Sequence, residues 1–349
     1  MGSKAKIAAL LIFGALLLSA PVSAKSFYDY CLHPDNDQQR QTVVAVMIKM
    51  KVQGHMDEET CRLAADSLRE RRYLNIYPDP FDPARDPVID LHPIEEEVQI
   101  CDLSLAKNEI TDITPLNKLT NLRQLNINFN PISGIAAVAK LKRLEEFDAT
   151  ETNVTDLTPL SGLLMLHTLS LSKTGVSDLS PIKNLTGLKN IYLAHNKITD
   201  TTPLDGMALE YLHIENNQIS ELNITASQDS MKMIDASSNL LREIKGLDLA
   251  RHIDAIDIGG NDFESVNFFS ALKTLRWLDI RNNNISDITP LDGLTDLQHL
   301  IISGNHIRNI PDAVRALETE HLNSKGQWIK LEITGASDQS TDEEAFHVY

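Results

Sequence analysis

The sequence predicts an α/β solenoid, a curved stack of short coils that each give one strand to a parallel sheet on the concave side. Three observations carry this. Apolar columns recur every 22 residues, an asparagine stands at one fixed offset, and hydroxyl–proline pairs mark the return of half the coils. One such coil cannot bury its own apolar side, but ten stacked together can.

The columns come first. Ile100, Leu122, Leu144, Leu166, Leu188, Leu209, Met231, Ile253, Leu275 and Leu297 are 22 residues apart, except for the 21 between Leu188 and Leu209. Three residues after each stands a second apolar residue, from Leu103 to Leu300, and two further on a third, from Leu105 to Ile302. A spacing of two is strand periodicity, so both columns face the core. At the ninth position stand Asn108, Asn130, Asn196, Asn217, Asn239, Asn261, Asn283 and Asn305, with Thr152 and Thr174 in the other two coils. An amide both donates and accepts, so a buried asparagine at the turn can satisfy backbone groups of its own coil and the next.

The return side is patterned too. Thr114-Pro115, Thr158-Pro159, Ser180-Pro181, Thr202-Pro203 and Thr289-Pro290 place a hydroxyl before a proline. This is the order expected of a helix N-cap followed by N1. Each coil is therefore expected to be one short strand, an asparagine turn and a short helical or 3₁₀ return.

The ends read differently. Residues 1–24 form an export signal: Lys4 and Lys6 precede an apolar stretch from Ile7 to Ala20, and Pro21-Val22-Ser23-Ala24 offers small residues for cleavage after Ala24. That stretch is too short to span a bilayer, and no other segment is long and apolar enough. The mature chain is thus expected to be a monomer in the periplasm or outside the cell. Residues 25–97 read as a helical cap and an incomplete first coil. Helices are expected over 36–50 and 57–71, then an edge strand at Tyr73–Ile76, then a proline-punctuated insertion over 78–83. Residues 98–317 are the repeats. Residues 318–349 are a C-terminal cap, with a strand over 327–333 covering the last coil, and an acidic tail expected to be disordered.

The chain carries 32 basic and 49 acidic residues, a net charge of -17. Loss of Lys4 and Lys6 with the signal leaves 30 against 49, or -19. Such a surface repels phosphate backbones and excludes nucleic acid as a natural partner, while favouring cationic or neutral ones. Export permits a disulfide among Cys31, Cys61 and Cys101. Cys31–Cys61 is favoured because both lie in the cap, with Cys61–Cys101 as the alternative.

The column set L-x-x-L-x-L-x-x-N-x-I-x-D-I-x-P-L over residues 98–317 resembles the internalin-like class of bacterial leucine-rich repeats. Its best coils are Leu188–Met207 and Leu275–Leu294. The resemblance implies a rigid recognition surface, often for a protein on another cell, and a helical N-terminal cap. The sequence departs from many such proteins in the anchoring region and added adhesive domains, and the expected role is adhesin-like or within the envelope.

No phosphate-binding loop, zinc-protease motif, nucleophile elbow or calcium loop is present, so neither catalysis nor a metal or cofactor is expected. The candidate site lies on the outward positions between the core columns. Strand alternation sets Tyr192, His213, Asp235, Asp257 and Asp279 in one concave row, with Tyr211 and Trp277 in the row beside it. Three aspartates about 4.8 Å apart repel one another unless solvated or matched by a cation. Arg281 is placed to neutralise Asp279 and Asp257 in part, and exposed aromatics mark interface hot spots. The return signature also lapses in the coils that begin at Leu209, Met231 and Ile253, beside this row. Two functions fit these residues: a scaffold that recognises a protein partner, basic or on a host surface, and a glycan binder of the cell envelope whose aromatics are stacking platforms.

Overall fold

The computed structural model describes residues 24–78, 86–227, 229–319, 321, 322, 325 and 328–335. Residues 1–23 of the expected export signal, the expected insertion from residue 79 and the expected tail from 336 lie outside them. Twelve three-residue strands form one parallel sheet in chain order, from Tyr73–Asn75 through Asp102–Ser104 to His299–Ile301 and Glu332–Thr334. The register pairs the middle residues of the strands across every coil: Leu103, Leu125, Phe147, Leu169, Ile191, Leu212, Ile234, Ile256, Leu278 and Leu300. All ten are buried, whereas the residues flanking them point to the concave face.

The asparagine column ties coil to coil. Asn130 Nδ2 donates to Ile127 O of its own coil at 3.0 Å and to Leu105 O of the coil before at 2.9 Å, while its Oδ1 accepts from Ile110 N at 3.0 Å. Asn108, Asn196, Asn217, Asn239, Asn261, Asn283 and Asn305 repeat the pattern. The residue before the column is left-handed in every coil: Lys107, Phe129, Glu151, Lys173, His195, Asn216, Ser238 and Asn282, with Gly260 and Gly304 in the two coils where no side-chain cost arises.

The returns are 3₁₀ turns, and their cap is not the hydroxyl residue. Thr114, Thr158, Ser180, Thr202 and Thr289 are the first residues of the turns, and the residues before them make no capping bond. The acceptor is an aspartate two residues earlier. The amides of Thr114, Thr158, Ser180, Thr202 and Thr289 donate to Asp112, Asp156, Asp178, Asp200 and Asp287 at 2.8–2.9 Å. A one-turn 3₁₀ element is tight enough that an Asx turn before it satisfies its first amide.

In the irregular coils the return has another form. Leu222–Asn223 pairs in parallel with Ile244–Lys245, and Gly246 closes the turn at φ 83. A Cβ at Gly246 would come within 2.8 Å of Thr225 Cα, so only glycine fits there. In the coils that begin at Leu209 and Met231 the lapse of the hydroxyl–proline signature thus accompanies a second small ladder, whereas the coil from Ile253 keeps a 3₁₀ return at Asn267–Ala271.

Both ends of the core are closed. Helices α1 (Phe27–Leu32), α2 (Asp37–Lys49) and α3 (Glu58–Arg69) form the N-terminal cap, and a Cys31–Cys61 disulfide joins α1 to α3. The first helix carries a capping box between Ser26 and Asp29 and was not expected from periodicity, being only six residues long. At the far end, the single strand expected over 327–333 is two pieces. Trp328–Ile329 pairs antiparallel with His321–Leu322, and Glu332–Thr334 extends the main sheet. The break falls where Leu331 turns inward and its amide donates to Leu317 O at 2.7 Å.

Candidate functional site

The parallel register brings Tyr192, His213, Asp235, Asp257 and Asp279 side by side on successive strands, and Tyr211, Met233, Ala255 and Trp277 into the neighbouring outward row. A third outward column follows each strand: Ala106, Asn128, Thr150, Ser172, Ala194, Glu215, Ser237, Gly259, Arg281 and Ser303. It is neutral except at Glu215 and Arg281, which bracket the row of aspartates.

Tyr192, Tyr211, His213 and Trp277 are half-buried, with part of each ring open to the concave face. Tyr192 and His213 stack with ring centroids 4.9 Å apart and planes 22° apart. Lys232 Nζ lies 5.7 Å from the Tyr211 ring while its charge is bound to Glu210.

The aspartates depart from the expected solvated row. Asp235 is 6% exposed, Asp257 4% and Asp279 0%. Each carboxylate folds back to accept from the amide two residues on. The acceptors receive Ser237 N at 3.1 Å, Gly259 N at 2.8 Å and Arg281 N at 2.9 Å. Asn126 and Asp148 make the same turn in earlier coils, so part of the work of this column is structural. Arg281 Nε lies 2.7 Å from Asp279 Oδ2 and supplies the counter-charge at that end.

Burial and mutual repulsion set the protonation of this floor. Burial, then the charges of Asp279 and Asp235, push Asp257 up to about 8. Burial raises Asp279 to about 6, held there by its backbone bond and the charge of Arg281. Glu215 rises to about 7 through burial and the neighbouring Asp235. Burial lowers His213 against the pull of Asp235, which favours its neutral imidazole.

One grouping was missed by sequence reasoning. Donor atoms of His213, Glu215 and Asp235 all lie within 4.8 Å of one another. The legible signal was His213-Ile214-Glu215, two residues of one strand face, followed one coil later by Asp235. A separate open groove of about 390 Å³ lies at the N-terminal strands, lined by Tyr73, Asn75, Gln124, Asn126, Glu146 and Asp148.

Comparison with known proteins agrees with this architecture. Residues 100–140, 165–206 and 273–315 match the family model described as leucine-rich repeats in two copies. The fold is similar to that of the internalin InlF of Listeria monocytogenes, at 24% identity and a TM-score of 0.66 over 76% of this chain and 82% of that one. It is also similar to a leucine-rich-repeat protein of Leptospira interrogans, at 20% identity and a TM-score of 0.58 over 73% and 72% of the two chains. The ectodomain of the Arabidopsis thaliana receptor kinase GASSHO1/SCHENGEN3, crystallised with Casparian strip integrity factor 2, shares 17% identity and a TM-score of 0.58, this chain spanning 35% of it. No curated protein sequence matches. Its repeats are thus leucine-rich repeats, and in fold the chain resembles the internalin solenoid.

Proposed function

We propose that this chain is an exported, monomeric, non-enzymatic scaffold that takes a basic segment of a protein partner on its concave face. The observation that carries the reading is the pairing of half-open aromatics, Tyr192, Tyr211 and Trp277, with a floor of carboxylates, Asp235, Asp257 and Asp279, relieved by the single charge of Arg281. The aromatics offer contact area at low entropic cost, and those buried carboxylates that stay ionised project a negative potential without contacting the partner. The export signal and the cap disulfide support action outside the cytoplasm. The plant ectodomain held with its ligand illustrates a binding use of the same fold. The protein reading is favoured over the glycan one because one face of the Tyr192 ring is already covered by His213.

The test begins with a pull-down from envelope and host extracts, followed by affinity measurement on variants. Tyr211→Ala and Trp277→Ala should each weaken binding by about 2 kcal/mol, roughly 30-fold, and added salt should weaken it further. Competition by free sugars would establish the glycan alternative instead. Full affinity in the Tyr211→Ala/Trp277→Ala pair, with loss on changing the exposed Leu164, would move the site off the concave face.

A further inference from the structure

We infer that His213, Glu215 and Asp235 form a site for one zinc-class divalent cation, independent of any protein partner. The backbone makes the arrangement. His213 and Glu215 flank the buried Ile214, so alternation aims both at the concave face, and the parallel ladder sets Asp235 directly across from His213. Their donor atoms lie within 4.8 Å of one another. Donors around a tetrahedral zinc stand about 3.4 Å apart for bonds near 2.1 Å, so the three atoms draw together when an ion binds.

Two further observations point to a cation there. Glu215 Oε2 is sealed from solvent and has no hydrogen-bond partner among the described residues. Asp235 is 6% exposed and satisfied only at Oδ1, by the amide and hydroxyl of Ser237 at 3.1 and 2.8 Å. Its Oδ2 accepts from no described residue. The charge balance is lopsided as well. Arg281 is ion-paired with Asp279 at one end of the row and acts on Asp235 through its charge, whereas burial and the like charge of Asp235 raise Glu215 at the other end. A buried carboxylate pair without a counter-ion is costly, and a divalent cation removes that cost.

The donor set selects the metal. One imidazole and two carboxylates suit zinc, whereas calcium seeks six or more oxygens and magnesium an octahedron rich in water. Three protein ligands leave one position for water or a donor brought by a ligand. The outer groups are built too, since Ser237 fixes Asp235 and Tyr192 stacks on His213.

The experiment uses the untagged chain, stripped with chelator and titrated calorimetrically with zinc sulfate. One saturable equivalent is expected, with cobalt in its place giving the visible bands of a four-coordinate site. Glu215→Gln keeps side-chain volume, and Asp235→Asn keeps the oxygen that accepts from Ser237, so both should melt like the parent without zinc. Each, and His213→Ala, should weaken zinc binding by roughly 10-fold or more, while Glu146→Gln at the far groove changes nothing. Binding unaffected by all three substitutions, absence of saturable binding, or tighter binding of calcium than of zinc would each overturn the assignment.

Discussion

Replacing Asn196 by alanine tests the bonds that hold coil to coil. Asn196 Oδ1 accepts from Gly175 N at 2.8 Å, Val176 N at 3.0 Å, Thr174 N at 3.2 Å and the Thr174 hydroxyl at 3.0 Å. Its Nδ2 donates to Leu171 O at 2.8 Å and Leu193 O at 2.9 Å. These two carbonyls keep other donors, the Thr174 hydroxyl at 2.8 Å and Asn217 Nδ2 at 3.0 Å. The amides of Thr174, Gly175 and Val176 are the groups left stranded. Such amides cost about 1–3 kcal/mol each, less whatever water can reach, so the loss should be about 3 kcal/mol. Urea unfolding should show a lower midpoint at unchanged slope. Hydrogen exchange should show protection lost at Gly175 and Val176 first, since neighbouring coils hold one another only pairwise. Lys189→Ala is the control, because its ion pair with Glu210 is largely exposed and should contribute less than about 1 kcal/mol. Equal costs for the two substitutions, or intact protection at Gly175 and Val176, would refute the ladder.

Thr152→Asn should stabilise by about 1 kcal/mol, since among the described residues the Thr152 hydroxyl bonds only within its own coil and an asparagine would reach Ile132 N of the preceding one; an unchanged urea midpoint counts against this. Peptide mapping of the chain produced in an oxidising compartment should find Cys31 joined to Cys61 and Cys101 as a thiol, and the Cys31→Ser/Cys61→Ser pair should lose about 3–4 kcal/mol from a crosslink that spans 30 residues. Asp257 binds its proton up to about pH 8 in the folded chain but only in the ordinary carboxylate range when unfolded. Stability should therefore fall as pH rises from 4 towards 8, by up to about 1.4 kcal/mol per pH unit for each such proton. Melts in chelator at pH 5.5 and 7.5 should show this fall, and Asp257→Asn should reduce it; a parent more stable at the higher pH contradicts the burial of that carboxylate.

The solenoid was legible because its columns are set by periods that sequence displays directly. A 22-residue repeat with apolar positions two apart admits one stacking, and the 21-residue step at Leu209 did not disturb the ladder. The capping aspartates were visible as well, in Asp112, Asp156, Asp178, Asp200 and Asp287, but the proline beside each hydroxyl drew attention to the wrong residue. The left-handed position was written as Asn216, Gly260, Asn282 and Gly304, and was hidden in coils where Phe129 or Glu151 bears the cost. The split C-terminal strand was not legible at all, since alternation cannot show that Leu331 leaves the sheet to cover the last coil.

The site shows where such reading stops. Register told which residues share a row, and Tyr192, His213, Asp235, Asp257 and Asp279 do share one. Alternation says which face a side chain leaves from, but not how deep it ends. On a concave sheet the outward side chains converge, and a short aspartate that folds onto the amide two residues on is covered by its neighbours. Asp148, which makes the same turn, keeps partial exposure, whereas Asp257 sits beneath Arg281 and between two like charges. The difference lies in the third outward column, which is Thr150 beyond Asp148, but Gly259 and Arg281 beyond Asp257 and Asp279. Chemistry on this face is therefore written across three coils at a time. A charge in the third column decides whether a carboxylate in the second is paired, as at Asp279, or left to find a cation, as at Asp235.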